Sequence, residues 1–142
     1  PPHNSRLLYY NSEIGNLEDN LCSHILIDEA QFLTSEHVAQ LREFVEKNGS
    51  HRVDCYGLKT DFKGEFFPGS LELMRCADEL IEIPSICSRC TVPGTHNMRL
   101  DEAGTAIKDG EQVALKDTTT YVAVCYHCWQ TSASVSKTGE TR

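Results

Sequence analysis

The first part of the chain alternates short apolar runs with amphipathic stretches. The run from His24 to Ile27 is partly β-branched and ends at two acidic residues, a pattern typical of a buried strand. Apolar residues then recur at helical spacing after Thr34 or Ser35, either of which can cap a helix, and Asn48-Gly49 predicts where that helix ends. A second strand is predicted over 53–58.

After this second strand the sequence becomes polar and glycine-containing, which predicts a loop over 59–69. The next helical periodicity is carried by Leu71, Leu73, Met74 and Ala77. A third short strand is predicted over 80–83, before Pro84. Strands that alternate with helices predict an α/β fold with a parallel sheet and helical crossovers.

Beyond Pro84 the pattern changes to short strand-like runs separated by Gly and Thr, over 97–100, 111–115 and 121–124. We expect no helix in this half and a domain boundary near residue 84. The chain is accordingly divided into a loose end over 1–20, an α/β domain over 21–84, a second domain over 85–130 and a disordered tail over 131–142.

Composition narrows the class of protein. The 142 residues carry 13 Lys and Arg against 21 Asp and Glu, a formal net charge of −8, which argues against a nucleic-acid partner. Apolar residues make up 39% of the chain, enough for a packed core. Because no apolar run approaches about 18 residues and no leader opens the sequence, we expect no membrane association and a cytoplasmic location. The chain has seven cysteines. The cytoplasm is a reducing compartment, where clustered cysteines more often hold metal than form disulfides.

Four of the cysteines form two C-x2-C pairs, Cys87-Ser-Arg-Cys90 and Cys125-Tyr-His-Cys128, with 34 residues between them. Two such knuckles can complete a tetrahedral Zn²⁺ site with Zn–S distances of about 2.3 Å. Four sulfur ligands leave no open coordination position, so the predicted zinc is structural. The alternatives are four buried free thiols, or His127 as the fourth ligand in place of Cys128. The remaining cysteines are expected to be core residues: Cys22, Cys55 and Cys76.

Asp28 and Glu29 directly follow the first predicted strand. In nucleotide-binding α/β folds an acid at the carboxyl end of a strand faces the ligand crevice and can hold Mg²⁺. A second acid beside it can act as a base toward a substrate hydroxyl. The alternative is a solvated start of a loop, which two adjacent acids also fit.

A magnesium acid of this kind usually works with a phosphate-binding loop of pattern G-x4-G-K-[ST]. The segment from Gly64 to Gly69 has the two glycines at this spacing, but Ser70 follows where the lysine is needed. Pro68 also removes an amide donor. We therefore reject this segment as a P-loop, and no other part of the printed sequence matches the pattern.

Six segments resemble the type II thymidine kinases, the zinc-containing tetrameric enzymes of bacteria, animals and poxviruses, and they occur in the order in which that family has them. They cover roughly residues 22–129 and have a bacterial character. The matching segments are Ile25-Leu-Ile-Asp-Glu-Ala-Gln-Phe32, Cys55-Tyr-Gly-Leu-Lys-Thr-Asp-Phe-Lys-Gly-Glu65, the first cysteine pair, Asn97-Met-Arg-Leu-Asp101, Gly110-Glu-Gln-Val113 and Tyr121-Val-Ala-Val-Cys125.

The resemblance implies a P-loop-kinase-like parallel sheet joined to a small β-rich zinc-ribbon lobe with a lasso loop. It implies transfer of the ATP γ-phosphate to the 5′-hydroxyl of thymidine or deoxyuridine, by a homotetramer. Asp28 is similar to the acid that holds Mg²⁺ through water, and Glu29 to the general base. The resemblance also places the zinc lobe at both ends of the lasso, which corresponds to residues 102–120.

The resemblance further assigns residues to the nucleoside pocket. Its walls are matched by Phe32, Leu58 and Phe62, for which an ordinary core role is the alternative. The main chain of the lasso would read the base near Val113, Ala114 and Leu115. Tyr121 lies at the end of the lasso, Asn97 aligns where a small polar residue faces the thymine edge, and supporting roles fall to Gln31 and Arg99.

This sequence departs from the family in having no strand, P-loop and helix before residue 22. We therefore expect this polypeptide alone not to turn over ATP, and to be a fragment of an active kinase. The alternatives are a non-catalytic nucleoside-binding remnant and a zinc-ribbon interaction module. A P-loop encoded upstream would favour the enzyme over the remnant, and the acidic net charge disfavours a module that binds nucleic acid.

Overall fold

The structure, a computed structural model, describes residues 24–47, 49, 51–83, 85–113 and 118–132. The described residues divide into two compact units. Unit 1 contains the chain up to Lys59 together with Phe66–Leu80, and unit 2 contains Thr60–Glu65 together with the chain from Ile81 onward. A short part of the loop predicted over 59–69 therefore belongs to the same unit as the cysteine pairs.

Unit 1 contains a pair of parallel strands, as the alternation of strands and helices predicts. Strand β1 (His24–Ile27) pairs in parallel with β2 (Arg52–Cys55), with His24 opposite Arg52. Strand β2 ends three residues before the predicted limit. The hydrogen bonding to the first strand continues only through Tyr56, whose N donates to Ile27 O and whose O accepts from Ala30 N, both at 2.8 Å. A short 3-10 helix (Ala30–Phe32) follows β1.

Helix α1 (Ser35–Lys47) confirms the amphipathic pattern of this segment. Thr34 caps it, because its Oγ1 accepts a hydrogen bond from His37 N at 3.1 Å. The helix buries one face, made of Val38, Leu41 and Phe44. The helix ends immediately before Asn48-Gly49, where the sequence predicted its end. Asn48 itself lies outside the described residues.

Helix α2 (Pro68–Cys76) starts inside the predicted loop, with Pro68 in the first turn, where proline is favoured. Gly69 packs so closely on the 3-10 helix that an added Cβ would lie 2.4 Å from Leu33 O and 2.7 Å from Gln31 O.

The prediction of a third strand over 80–83 is wrong. The apolar side chains there are at least 65% exposed, and none of the described strands pairs with this segment, so its backbone has no strand partner among the described residues. Pro84 lies outside the described residues.

Unit 2 is built on antiparallel strands. Strand β3 (Ser85–Ile86) pairs with β4 (Pro93–Gly94), and a three-stranded sheet has β5 (His96–Leu100) between β6 (Ala106–Ile107) and β7 (Thr120–Val124). The strands predicted over 97–100 and 121–124 are thus confirmed. The one predicted over 111–115 does not form at 111–113, and the rest lies outside the described residues. The sheet covers a core of Cys87, Met98, Ala106, Val124 and Cys125.

The second half also contains helix α3 (Tyr126–Thr131), so the expectation of no helix there is wrong. Its six residues are too few to show a helical period, and the helix is organised by its cap at Cys125 instead. Residues 133–142 of the predicted tail and the loose end over 1–20 lie outside the described residues. Among the helices that are described, none has both the length and the apolar character needed to cross a membrane.

Candidate functional site

The two cysteine pairs come together in unit 2. The sulfur atoms of Cys87, Cys90, Cys125 and Cys128 all lie within 4.8 Å of one another. Cys90 Sγ is 3.6 Å from Cys125 Sγ and 3.6 Å from Cys128 Sγ. A tetrahedral ion with metal–sulfur bonds of about 2.3 Å separates its ligands by about 3.8 Å, so four sulfurs at this spacing fit one Zn²⁺. The cluster can therefore hold a metal ion.

Backbone hydrogen bonds build each knuckle. Cys87 N donates to Val92 O at 2.8 Å, and the turn between them passes through Thr91 in the left-handed region, with φ of 65°. In the second knuckle Cys125 caps α3, and its Sγ accepts from Cys128 N at 3.4 Å. Ser88 N donates to Ala123 O at 2.9 Å, which ties the first knuckle to the strand that leads into the second.

The four thiols differ in their electrostatic environment. Burial alone would raise the pKa of the Cys87 thiol, but backbone hydrogen bonds from Cys125, Arg89 and Cys90 outweigh it and lower this pKa to about 6. The hydrogen bond with Cys90, together with burial, raises the pKa of Cys128 to about 12. Because metal ligands bind as thiolates, metal binding here must release protons.

Two of the remaining cysteines belong to unit 1. Cys55 and Cys76 are half-buried in unit 1, and Cys22 lies outside the described residues. Burial, with smaller contributions from Asp54 and Cys76, raises the pKa of the Cys55 thiol to about 11. A thiol of this kind is a poor nucleophile and a poor metal ligand at neutral pH.

The acidic pair lies in unit 1, at the carboxyl end of β1. Both side chains are exposed, and Asp28 Oδ1 accepts a 2.9 Å hydrogen bond from the backbone N–H of Glu29. Glu29 adopts left-handed backbone angles, with φ of 52° and ψ of 37°, which is uncommon for a residue with a side chain. Its Oε2 accepts a hydrogen bond from Gln31 Nε2. The turn thus presents two accessible carboxylates whose orientation is fixed by local hydrogen bonds.

Two of the predicted pocket walls lie in the same unit as this pair. Phe32 is half-buried and meets the ring of Phe67 edge-on, with centroids 5.8 Å apart. Leu58 keeps 42% of its surface exposed, and both its backbone N–H and its backbone carbonyl are hydrogen-bonded. Its N–H donates to Gln31 Oε1 at 3.1 Å and its carbonyl accepts from Ser70 Oγ at 2.5 Å.

The remaining predicted binding residues lie in unit 2. Phe62 is only 1% exposed, and the Arg99 guanidinium carbon lies 5.2 Å from the centre of its ring and 5.9 Å from that of Tyr121. Such burial is also what an ordinary core residue shows. Asn97 Nδ2 donates to Thr60 O at 3.4 Å. Val113 and Tyr121 are exposed, while Ala114 and Leu115 lie outside the described residues.

Comparison with known proteins identifies the family. A family model described as "Thymidine kinase" matches residues 5–129. The chain belongs to the thymidine kinase family. It is 48% identical over 123 residues to a protein named thymidine kinase from Legionella pneumophila (strain Lens), a match that covers 87% of this chain and 58% of the relative.

Two further bacterial thymidine kinases are similar to the chain. That of Vibrio vulnificus (strain YJ016) is 50% identical over 112 residues, which cover 79% of this chain and 56% of the relative. That of Aliivibrio fischeri (strain ATCC 700601 / ES114) is 50% identical over 101 residues, which cover 71% of this chain and 52% of the relative. The chain therefore spans a little over half the length of these curated relatives. The family match also begins at residue 5, so the extent of roughly 22–129 that the motifs indicated was too short.

Sequence reasoning missed one polar cluster of this family member. Asp61 is buried, and its Oδ1 accepts from Lys63 N at 2.8 Å and from Glu65 N at 3.0 Å. Its Oδ2 accepts from Gln112 Nε2 at 3.2 Å, which joins the loop 60–65 to the segment that follows β6. The signal was present in Asp61-Phe-Lys-Gly64, a spacing typical of a turn closed by an aspartate side chain.

Proposed function

We propose that the full-length protein transfers the γ-phosphate of ATP to the 5′-hydroxyl of thymidine or deoxyuridine, in salvage of DNA precursors. Membership of the thymidine kinase family supports this activity. The observation that carries it is the exposed pair Asp28 and Glu29 at the carboxyl end of a strand in a parallel pair. Ligands of α/β sheets bind at that end, so a substrate hydroxyl can approach Glu29 there.

In this proposal Glu29 is the general base. Its carboxylate accepts the proton of the 5′-hydroxyl as the oxygen attacks the γ-phosphorus and the bond to the β-phosphate oxygen breaks. Phosphoryl transfer passes through a loose transition state, so orienting the hydroxyl matters more than removing its proton early. The fixed turn around Glu29 supplies such orientation.

Asp28 is proposed to hold Mg²⁺ through water, and its carboxylate oxygens are the ligand type that this ion prefers. When bound, Mg²⁺ neutralises the charge that develops on the phosphate oxygens. The 2.9 Å hydrogen bond from Glu29 N keeps the Asp28 carboxylate beside the turn that carries the base.

The nucleoside pocket is proposed to take its apolar walls from Phe32, Leu58 and Phe62, since stacking and apolar contact favour a flat pyrimidine. The exposure of Leu58 supports its part in this wall. Asn97 would face the thymine edge and Tyr121 would close the lasso. The main chain at Val113, Ala114 and Leu115 would read the base.

The wider architecture is part of the same proposal. Unit 1 would be part of a P-loop-kinase-like domain over 21–84. This is supported by the parallel pairing of β1 with β2, which α1 connects along the chain. The domain over 85–130 would be a zinc ribbon, supported by four sulfurs at zinc spacing. We propose that the full-length protein is a cytoplasmic homotetramer that binds thymidine or deoxyuridine and ATP.

The test is Glu29→Gln in the full-length protein, with Glu36→Gln as the control, since Glu36 is an exposed acid in the first turn of α1. Glu29→Gln should lower kcat for thymidine phosphorylation by about 100-fold or more, because a general base contributes on that order. Thymidine affinity should stay nearly unchanged, and the control should behave as wild type.

Near-normal turnover of Glu29→Gln would remove Glu29 from the role of base. A wild-type protein that binds thymidine but forms no thymidine monophosphate with Mg-ATP would instead be a nucleoside-binding protein. A protein that does neither would contradict the proposed function.

A further inference from the structure

Gln31 is a buried polar side chain between the proposed base and the proposed pocket wall. It lies in the 3-10 helix after β1 and is 3% exposed. Its carboxamide nitrogen donates to Glu29 Oε2, and its carboxamide oxygen accepts from the backbone N–H of Leu58 at 3.1 Å. A single amide therefore connects the carboxylate of Glu29 with the peptide of Leu58.

The orientation of this amide is fixed by chemistry. The Leu58 N–H can only donate, and the Glu29 carboxylate, when ionised, can only accept. Rotating the carboxamide of Gln31 by half a turn would set donor against donor at Leu58 and acceptor against acceptor at Glu29. Both ends of the bridge thus require a glutamine oxygen on one side and a glutamine nitrogen on the other.

The backbone around the bridge is closely packed. A Cβ on Gly57 would lie 2.7 Å from Gln31 Oε1 and 2.9 Å from Gln31 N, so the chain can pass here only as glycine. The carbonyl of Leu58 is held at the same time by Ser70 Oγ, at 2.5 Å. The backbone of Leu58 is therefore held at both its N–H and its carbonyl, and Gln31 ties the otherwise exposed carboxylate of Glu29 to it.

We propose that Gln31 is a positioning residue, which holds the Glu29 carboxylate at a set place relative to Leu58 in the pocket wall. The proposal rests on the proposed roles of Glu29 as base and Leu58 as wall. An exposed glutamate samples several rotamers, and a displacement of about 1 Å from the reactive geometry can cost up to about 100-fold in rate. Gln31 would remove this freedom before the substrate arrives.

Gln31→Met in the full-length protein tests the bridge, because it keeps the length of the side chain and removes both hydrogen bonds. Gln40→Met makes the same chemical change on α1, outside the proposed site. With thymidine and Mg-ATP, Gln31→Met should lower kcat by roughly 10- to 100-fold, the cost of a misplaced catalytic group. The KM for thymidine should change less than kcat, and Gln40→Met should retain wild-type kcat.

Gln31→Glu gives a second readout, and it applies even if Gln31→Met fails to fold, since the two side chains have the same shape. The new carboxyl group can donate to Glu29 only when protonated, whereas ionised it repels the base. The kcat of Gln31→Glu relative to wild type should therefore rise as pH falls, which a loss of packing alone would not produce.

The outcomes are separable from those for the proposed function. An active wild type whose kcat survives Gln31→Met within twofold, or a Gln31→Glu ratio that stays flat with pH, would overturn the positioning role alone. A wild type that phosphorylates no thymidine would overturn the proposed function, and the role of Gln31 with it.

Discussion

The indole N–H of Trp129 donates a 2.9 Å hydrogen bond to the backbone carbonyl of Phe62, 67 residues earlier in the chain. Trp129 directly follows Cys128 of the second knuckle, and the indole also packs against Gly64, where an added Cβ would lie 3.0 Å from the ring. Helix α3 therefore fastens the loop 60–65 to the half of unit 2 that contains the cysteine cluster. Loss of structure in the cysteine cluster should therefore loosen this loop, and loss of structure in the loop should loosen the cluster.

Trp129→Phe should test this dependence, because it keeps an aromatic ring and removes the N–H donor. We expect a loss of about 1–2 kcal/mol in the free energy of unfolding of the metal-loaded protein, the usual cost of leaving a part-buried carbonyl unpaired. Tyr126→Phe, on the exposed side of the same helix, is the control and should lose much less. Equal losses measured by urea unfolding would show that the hydrogen bond to Phe62 contributes little.

Metal content should separate the cysteines of the cluster from the others. The wild-type protein and Cys55→Ser should each bind about one zinc per chain, whereas Cys90→Ser should bind far less, because the closed site needs four sulfur ligands. Elemental analysis of the purified proteins measures this. Chelation should unfold unit 2 in the wild type, as followed by tryptophan fluorescence of Trp129. A zinc-free but folded protein would contradict the assignment.

The buried thiol of Cys55 should make the folded protein less stable in alkaline solution. The pKa of its thiol is raised by burial from 9.0 to about 11, so the folded protein holds this proton more tightly than the unfolded chain does. The resulting contribution is fully present below pH 9.0 and is lost as pH rises toward 11. Urea unfolding at pH 8 and at about pH 10 should show a smaller decline for Cys55→Ala than for wild type. Parallel declines in the two proteins would rule out this contribution.

Arg99 should not tolerate replacement by lysine. Its buried guanidinium lies over the rings of Phe62 and Tyr121, and its Nε donates to Thr119 Oγ1 at 3.2 Å. A lysine keeps the charge but loses the planar group that stacks on rings, so Arg99→Lys should cost on the order of 1–3 kcal/mol of stability. Arg89→Lys, in the exposed turn of the first knuckle, should cost almost nothing in the same thermal unfolding measurement.

Local signals were sufficient for several elements. The cap at Thr34, the buried face of α1 and the short strand before Asp28 follow from neighbouring residues, and the structure contains each of them. The cysteine spacing was equally informative, because two C-x2-C knuckles can be recognised without knowing the fold. In contrast, the apolar run over 80–83 has the composition of a strand, but it pairs with none of the strands in the part of the chain that the structure describes.

The sequence by itself determined the family, the paired acids and the two cysteine pairs, since each is a pattern of nearby residue types. Only the tertiary structure decided that Gln31 bridges Glu29 to Leu58, that Phe62 is buried beneath Arg99, and that Trp129 fastens a loop 67 residues away. These relationships join residues far apart in the chain. A hydrogen bond or ring contact of that kind depends on coordinates and leaves no period or spacing in the sequence.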